Sequence, residues 1–422
     1  PWLESVERFT RMAPIAVFLA VFSPVFAAAC SRPDDVHLLQ VSAKRVQLGN
    51  QDEMPSLKRS SCNTCSLPKT ALEEHVGFND SWQYFNHPDP PVEWFQNLDK
   101  LLDLSLGHIS NRIRVGEEYN VSYMVLSMTG NTQDMHITRM GGPSEHAAIE
   151  KIQTWNQKMY EAVKPYPKRL NFWCVLPMFC PSAATKQLEE CMDRGSPGAL
   201  INGFGTDGDG PDVKPNFYDT DGTNGTLNYT FFWKTVEERN AVIYLHPRAD
   251  QPRPLYEKFP ELQGSPWGFS LETAEHILRL MLEGFFDKFP RLRIIIGHDA
   301  ELLAFWAWRI DHRLEMQGWK RNVVPTTVTF NHSDENGRFK RNLTIEGYLR
   351  RNIWATTSGM FDTPSFQHLV AVMGSDRVLF SMDTAYEQLE EAALWFDHAT
   401  QGMSPGAVAD MASGNAQNLL MT

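Results

Sequence analysis

Short runs of apolar and β-branched residues recur along this chain from residue 69 onward, separated by longer stretches in which apolar residues repeat with helical spacing. Short runs of this kind are typical of buried strands, and the longer pattern is typical of amphipathic helices. The predicted strands lie at residues 70–74, 121–128, 170–178, 198–204, 241–246, 292–298, 352–358 and 378–383. The predicted helices lie at 147–163, 184–195, 272–290 and 302–317.

This alternation of strands and helices predicts an α/β fold built from parallel βαβ units. Eight such units predict a closed (β/α)8 barrel, the TIM barrel, which we expect to occupy residues 69–422. Residues 31–68 are polar and show no sustained periodicity, which is typical of a linker or N-terminal extension. Residues 1–30 precede them as a leader with an apolar stretch at 12–30.

Several of the predicted strands end in polar side chains that can take part in chemistry. They are Glu73, His75, Asn202, His246, His298 and Asp383. In a (β/α)8 barrel the catalytic groups lie at the carboxyl ends of the strands, which all open onto one mouth. Glu73 and His75 are two residues apart, so they share one face of the first strand. We therefore expect these side chains to converge.

Four of these side chains predict a site for one divalent metal ion. The predicted ligands are Glu73, His75, His246 and Asp383. Carboxylates and imidazoles together suit zinc, manganese or iron(II) better than calcium, and magnesium is a further alternative. His298 stands beside the metal as a ligand or as a general acid or base. A single histidine is more often structural than functional, so the site is predicted by the joint position of these residues at strand ends.

Four short motifs follow one another along the chain: Glu-x-His at 73–75, His-Pro-Arg at 246–248, Gly-His at 297–298 and Ser-x-Asp at 381–383. In this order and at these strand ends they resemble the metal-dependent amidohydrolase superfamily. More narrowly, the chain resembles its decarboxylase branch, the γ-resorcylate, 2,3-dihydroxybenzoate and 6-methylsalicylate decarboxylases. The resemblance covers roughly 69–422, and its most specific part is the long stretch around His298.

The resemblance implies a metal-dependent, non-oxidative decarboxylase of an ortho-hydroxy aromatic carboxylic acid, of the salicylate, 6-methylsalicylate or dihydroxybenzoate type. Such an enzyme releases CO₂ and a phenol and needs no organic cofactor. The residues to which the resemblance assigns catalytic or substrate-binding roles are Asp383 as proton donor, His298, Glu301, Arg309, Trp267 and Phe269. Two stretches depart from the family's pattern, 384–387 (Thr-Ala-Tyr-Glu) and 299–301 (Asp-Ala-Glu), so the ring substituents of the substrate stay open.

Two other functions are compatible with the same residues. A hydrolase on this scaffold would open a lactone or an amide with a metal-bound hydroxide. A non-catalytic binding protein that kept the barrel is the third alternative, and the complete set of ligands argues against it.

Charge and composition narrow the class of partner. The formal net charge is −12 and the sequence pI is about 5.6. No dense run of lysine and arginine is present, which argues against nucleic-acid binding. An acidic surface also gives no reason to expect stable contact with anionic membranes. We expect a small aromatic acid as substrate, and the resemblance suggests a homo-oligomer, a dimer or tetramer.

The N-terminal region predicts the compartment. The apolar stretch at 12–30 ends in Ala27-Ala28-Ala29, which is typical of a cleaved secretory signal. A membrane anchor or a wrongly assigned gene start are the alternatives. N-glycosylation sequons occur at Asn79, Asn120, Asn224, Asn228, Asn331 and Asn342, and six cysteines permit disulfides. These features predict a secreted glycoprotein, and a cytoplasmic protein is the alternative.

Overall fold

The computed structural model describes residues 67–77, 109–128, 144–206, 215–222, 226–248, 253–316, 341–384 and 386–421. All of these residues belong to one compact unit, Lys58–Thr422. The predicted leader at 1–30 and nearly all of the predicted linker at 31–68 lie outside the described residues, so both stay predictions.

Within the described residues, eight parallel strands form the centre of the fold, and they follow the predicted runs closely. They are β1 (Lys69–Val76), β2 (Val121–Met128), β3 (Leu170–Phe172 and Cys174–Val175), β4 (Gly198–Asn202), β5 (Val242–His246), β6 (Arg293–Ile296), β7 (Ile353–Thr356) and β8 (Val378–Leu379). β3 consists of two segments on either side of Trp173, whose backbone N–H donates to Leu126 O at 2.8 Å. A short antiparallel pair, Gly205–Thr206 with Pro215–Asn216, follows β4.

The strands form a closed ring. β1 pairs with β2, and β2 pairs with the first segment of β3. The second segment of β3 begins a continuous series of pairs through β4, β5, β6, β7 and β8. The ring closes because the segment after β8 lies beside β1: Glu74 pairs in parallel with Thr384, and Asp383 N donates to Glu73 O at 3.1 Å. All of these strand pairs are parallel, which confirms the predicted (β/α)8 barrel.

Helices follow the strands around the ring. In the described residues they are α1 (Ile109–Glu118), α2 (Glu145–Val163), α3 (Pro181–Asp193), α4 (Thr230–Glu238), α5 (Pro254–Lys258), α6 (Gly268–Leu282), α7 (Phe285–Lys288), α8 (Leu303–Met316), α9 (Ile345–Asn352), α10 (Thr363–Met373), α11 (Leu389–Ala399), α12 (Pro405–Ala409) and α13 (Asn415–Met421). The single helix predicted at 272–290 is wrong, because Gly284 adopts a φ of 70° between α6 and α7. A residue in this left-handed conformation ends a helix.

Apolar side chains pack in two clusters. The larger one joins the outward faces of the strands to the buried faces of the helices. The smaller one fills the barrel interior, and its buried members are Leu72, Val125, Trp173, Leu200, Val242, Tyr244, Ile295, Leu379, Ala416 and Leu419. Seven of the eight strands contribute at least one of these side chains, and α13 adds the last two. The barrel is therefore a packed core below its mouth.

One disulfide lies within the described residues. It joins Cys174 in β3 to Cys191 in α3, and both residues are buried. Cys180 is a free thiol. Cys62 and Cys65 lie outside the described residues, as do the sequons at 79, 224 and 331. Among the described residues, no helix has the length and apolar character needed to cross a bilayer.

Candidate metal centre and active site

A β-bulge in β1 aims the first two predicted ligands at the mouth of the barrel. Ala71 pairs with Met124 and Glu74 pairs with Leu126, so β1 contains one residue more than β2 between these pairs. An extra residue leaves backbone groups unpaired and redirects side chains. Here the unpaired N–H groups of Leu72 and Glu73 both donate to Ser381 Oγ, at 3.0 and 2.7 Å.

The structure brings the four predicted ligands together. Glu73 Oε1 lies 3.2 Å from His246 Nε2 and 3.8 Å from His75 Nε2. The ligand atoms of these three residues all lie within 4.8 Å of one another. Asp383 stands at the edge of this group, with Oδ1 at 3.2 Å from His75 Nε2. The residues come from β1, from the end of β5 and from the segment after β8, so the barrel mouth assembles the group.

The outward-facing atoms of three of the four ligands are held by neighbours. Glu73 Oε2 accepts hydrogen bonds from the hydroxyls of Tyr244 and Ser358. His75 Nδ1 is hydrogen-bonded to Ser127 Oγ at 3.0 Å. His246 Nδ1 lies 2.8 Å from the backbone O of residue 247 and 2.9 Å from the side-chain amide nitrogen of residue 202. Such outer contacts orient imidazole and carboxylate ligands toward a metal ion.

The inward-facing atoms, by contrast, lack hydrogen bonds. Among the described residues, Glu73 Oε1, His75 Nε2 and Asp383 Oδ1 are buried and have no hydrogen-bond partner. Buried polar atoms without partners are costly and rare in folded proteins. A divalent cation among them would satisfy all three, and two carboxylates with two imidazoles are a ligand set that zinc and manganese accept. The residues therefore fit the predicted metal.

Electrostatics favour a cation at the same place. Burial raises the pKa of Glu73, but interactions with His246 and His75 outweigh it and hold this pKa well below its usual value. Burial lowers the pKa of His75, yet Asp383 and Glu73 reverse this effect and raise it to about 9. The Glu73 carboxylate thus stays charged and stabilises positive charge beside it, whether on a proton or on a metal ion.

A strained turn after β6 positions the predicted acid–base residues. His298 Nδ1 is hydrogen-bonded to Glu301 Oε1 at 2.8 Å, and His298 Nε2 lies 3.5 Å from Asp383 Oδ2. All four residues from 298 to 301 have positive φ, between 50° and 65°, and none is glycine. This conformation costs roughly 1–2 kcal/mol per residue, and such strain is concentrated at functional sites.

The three predicted substrate-binding residues lie at two helices of the barrel, α6 and α8. Trp267 and Phe269 lie at the start of α6, where Trp267 is 40% exposed. Arg309 is exposed on α8. Within the described part of the chain, no hydrogen bond or ion pair joins these residues to the four ligands. Their contacts with substrate therefore stay predictions.

The hydroxyl groups that hold Glu73 and His75 were not predicted from the sequence. Tyr244 lies two residues before His246 on the same face of β5, so the strand period could have identified it. Ser127 lies near the end of β2, where a polar residue is the same signal that identified the ligands. Ser358 is the last residue of the strand predicted at 352–358, so it carried the same strand-end signal, although β7 itself ends at Thr356.

The sequence from 106 to 421 matches the family model described as amidohydrolase. This chain belongs to the amidohydrolase family. The γ-resorcylate decarboxylase of Polaromonas sp. (strain JS666 / ATCC BAA-500) is 33% identical to it over 354 residues, which are 83% of this chain and 98% of that relative. The family resemblance stated from the motifs is therefore confirmed.

Solved structures of other amidohydrolases agree with the barrel described above. The dihydroxybenzoic acid decarboxylase from Polaromonas sp. JS666, with bound manganese and the inhibitor 2-nitroresorcinol, has a TM-score of 0.68 at 32% identity and covers 84% of this chain and 97% of its own. The 2,6-dihydroxybenzoate decarboxylase from Rhizobium has a TM-score of 0.69 at 31% identity and covers 84% of this chain and 99% of its own.

Proposed function

We propose that this chain is a metal-dependent, non-oxidative decarboxylase that converts an ortho-hydroxy aromatic carboxylic acid into a phenol and CO₂. The observation that carries the proposal is the position of Asp383. Its Oδ1 lies 3.2 Å from His75 Nε2 in the ligand group, and its Oδ2 lies 3.5 Å from His298 Nε2. One carboxyl group therefore contacts both the candidate metal centre and the His298–Glu301 pair. Relatives at 31–33% identity that carry decarboxylase names support the same reaction.

The chemistry of the substrate explains why an acid is needed at this point. Direct loss of CO₂ from an aromatic ring would leave an unstabilised carbanion. Addition of a proton to the ring carbon that bears the carboxylate avoids this, because the electron pair of the breaking C–C bond then restores the aromatic ring. A divalent ion held by Glu73, His75, His246 and Asp383 would supply Lewis acidity toward the ortho-hydroxyl and carboxylate oxygens.

Asp383 supplies the proton for this step, and His298 replaces it afterwards. Asp383 donates the proton to the ring carbon, CO₂ leaves with the carboxylate oxygens, and the Asp383 carboxylate remains. His298 Nε2 then returns a proton to Asp383 Oδ2, while Glu301 Oε1 holds His298 Nδ1 at 2.8 Å. The His298 side chain is 19% exposed, so it can recover its proton from water at the mouth.

The remaining contacts of the substrate are proposals from the family resemblance. Arg309 pairs with a carboxylate or a second ring oxygen, and Trp267 and Phe269 wall the ring. Manganese is the first metal to test, because the Polaromonas structure contains it.

The experiment compares metals and substrates. Chelated protein is reloaded with Mn²⁺, Zn²⁺ or Mg²⁺ and incubated with 2,6-dihydroxybenzoate, 2,3-dihydroxybenzoate, salicylate and 6-methylsalicylate, and the phenol and CO₂ are quantified. We expect turnover of at least one acid, and none of 4-hydroxybenzoate, which lacks the ortho-hydroxyl. Asp383→Asn should lower kcat by about 10²- to 10⁴-fold, the usual contribution of a general acid. Asp410→Asn, at an exposed position, is the matched control.

The hydrolase alternative has a distinct outcome in the same assay. If no acid in the panel releases CO₂ and the metal-loaded protein instead opens lactones or amides, the decarboxylase proposal is wrong.

The cellular compartment and the oligomeric state of this chain are further proposals. We propose that the chain enters the secretory pathway, and the buried disulfide between Cys174 and Cys191 supports this, because disulfides persist in oxidising compartments. A mass decrease on enzymatic deglycosylation of protein from a eukaryotic host tests it, and an unmodified mass favours the cytoplasmic alternative. The proposed dimer or tetramer is tested by light scattering.

A further inference from the structure

Gly359 lies beside the two groups that the proposed mechanism uses to move a proton. It follows Ser358, whose hydroxyl donates to Glu73 Oε2, in the turn after β7. Met360 N donates to Thr357 O at 3.2 Å and closes this turn. The residue is outside the ligand group and has no side chain of its own, so no role was predicted for it from the sequence.

The missing side chain leaves a space that faces His298 and Asp383. A Cβ atom built on Gly359 would lie 2.9 Å from His298 Cδ2, 3.1 Å from Asp383 Oδ2 and 3.3 Å from His298 Nε2. These distances are shorter than ordinary van der Waals contacts, which begin near 3.4 Å. A single methyl group would therefore press on both partners of the His298–Asp383 contact at once.

The surroundings give little room for this pressure to relax. His298 is bound on its other side to Glu301 Oε1, and its backbone belongs to the left-handed turn. Asp383 is bound through its backbone N–H to Glu73 O in the segment that closes the barrel. With both backbones anchored, the contact can be relieved only by rotation of the imidazole or of the carboxylate, and this rotation would lengthen their present separation of 3.5 Å.

We propose that Gly359 is a positioning residue for proton transfer: the absence of a side chain there keeps His298 Nε2 and Asp383 Oδ2 close enough to exchange a proton during each turnover. The inference rests on the proposed decarboxylation. The built Cβ meets Asp383 Oδ2, whereas Oδ1 is the atom that faces the ligand group, so metal content at saturating metal should change little.

The test is Gly359→Ala, and the chain offers a matched control. Gly359 has a φ of 62°, so alanine also introduces backbone strain there. Gly402 has a φ of 83° with nothing within 4 Å of a built Cβ, so Gly402→Ala adds comparable strain without the contact. The difference in kcat between Gly359→Ala and Gly402→Ala therefore measures the effect of the steric contact with His298 and Asp383, apart from the effect of backbone strain.

We expect Gly359→Ala to lower kcat about 100-fold, the scale of loss when reacting groups are displaced by an ångström, with a much smaller change in KM. The solvent deuterium isotope effect on kcat should rise, because proton transfer becomes slower relative to other steps. Metal content should match that of the wild type. Gly402→Ala should retain the wild-type kcat and isotope effect.

The outcomes separate the two proposals. If the wild type releases no CO₂ from any acid, the proposed function fails. If the wild type is active and Gly359→Ala matches Gly402→Ala in kcat and isotope effect, the role of Gly359 is refuted and the function stands. If Gly359→Ala does not fold, His298→Asn is added to relieve the contact. Recovery of folding in the double variant supports the predicted clash, and failure to recover overturns it.

Discussion

Each candidate ligand has two polar atoms, and the fold uses them differently. Glu73 presents Oε1 to the centre and holds Oε2 against the hydroxyls of Tyr244 and Ser358. His75 presents Nε2 and binds Ser127 through Nδ1. Because the outer contact fixes the orientation of the side chain, metal affinity depends on residues that never touch the ion.

Tyr244→Phe tests this dependence. Phenylalanine keeps the buried ring but removes the hydroxyl that donates to Glu73 Oε2, so the affinity for metal should fall about 10- to 100-fold. Competition with a fluorescent chelator measures the dissociation constant. The matched control is Tyr348→Phe, because Tyr348 is also buried and its hydroxyl donates to Asp287 instead of a ligand. Equal losses of affinity in the two variants would contradict the prediction.

The buried side chain of His276 should make the folded chain less stable in mild acid. This imidazole is buried against Phe217 O, and burial lowers its pKa from 6.5 to about 4. Between pH 6.5 and pH 4 the unfolded chain binds a proton at His276, whereas the folded chain does not. The contribution of neutral His276 to the free energy of unfolding is therefore complete above pH 6.5 and is lost as the pH falls toward 4. The loss is on the order of 3 kcal/mol.

Urea unfolding of the wild type and of His276→Gln at pH 7 and pH 5 measures this effect. The variant should lose less stability than the wild type between these two pH values. His146→Gln, on the exposed surface of α2, is the control and should follow the wild type. An identical pH dependence in wild type and His276→Gln would show that another group is responsible.

The bulge of β1 is the element that makes the site possible. In a regular strand, Leu72 and Glu73 would face opposite sides, yet Leu72 packs in the barrel interior and Glu73 reaches His246 at the mouth. Ser381 Oγ accepts hydrogen bonds from both of the backbone N–H groups that the bulge leaves without a partner in β2. A single hydroxyl that is distant in sequence but adjacent to β1 in the barrel therefore sets the direction of the first ligand.

Ser381→Ala should weaken both the fold and the metal site. It leaves two buried N–H groups without an acceptor, at a cost of at least about 2 kcal/mol in the free energy of unfolding. It should also lower metal affinity, because the bulge can then relax. Ser413→Ala is the matched control: its hydroxyl bonds Thr70 at the other end of β1, so stability should fall while metal affinity stays unchanged. Urea unfolding and metal titration give the two readouts.

The bulge also marks the limit of what the sequence could predict. The convergence of Glu73, His75, His246 and Asp383 follows from the two-residue period of strands and from the common mouth of a parallel barrel, which apply to any sequence of this pattern. The bulge depends on a partner that lies far along the chain, and no glycine or proline beside it signals the irregularity.

Other features of the fold were missed for local reasons. The break at Gly284 carried a sequence signal, since glycine is the residue that most readily ends a helix. The turn at 298–301 carried only a weak signal: histidine and aspartate are enriched at positive φ among non-glycine residues, but alanine and glutamate are not. Strain of that kind is imposed by the surrounding structure, so sequence spacing alone does not reveal it.

Over the whole molecule, the metal site and the closure of the ring depend on each other. The ligands come from β1, β5 and the segment after β8, and that segment also pairs with β1 to complete the barrel. An ion that binds all of these ligands therefore links the two ends of the strand series. It should bind the folded chain and have little affinity for the unfolded chain, in which the ligands are far apart.

Removal of metal should therefore lower the stability of the entire barrel. At a free metal concentration 100 times the dissociation constant, binding adds about 2.7 kcal/mol to the free energy of unfolding. Urea unfolding with Mn²⁺ and with a chelator should differ by about this amount. Glu73→Gln removes a ligand charge and should abolish most of the difference. A chelator effect of equal size in wild type and variant would mean that the ion stabilises the chain from somewhere else.

The closing contact between Glu73 and Asp383 also has a consequence for biosynthesis. A ribosome delivers Glu73, His75 and His246 before it delivers Ser381 and Asp383. Until then the nascent polypeptide contains three of the four ligands, and a product truncated before residue 381 lacks Asp383. Binding of the ion by all four ligands therefore requires that the chain has been synthesised at least to residue 383.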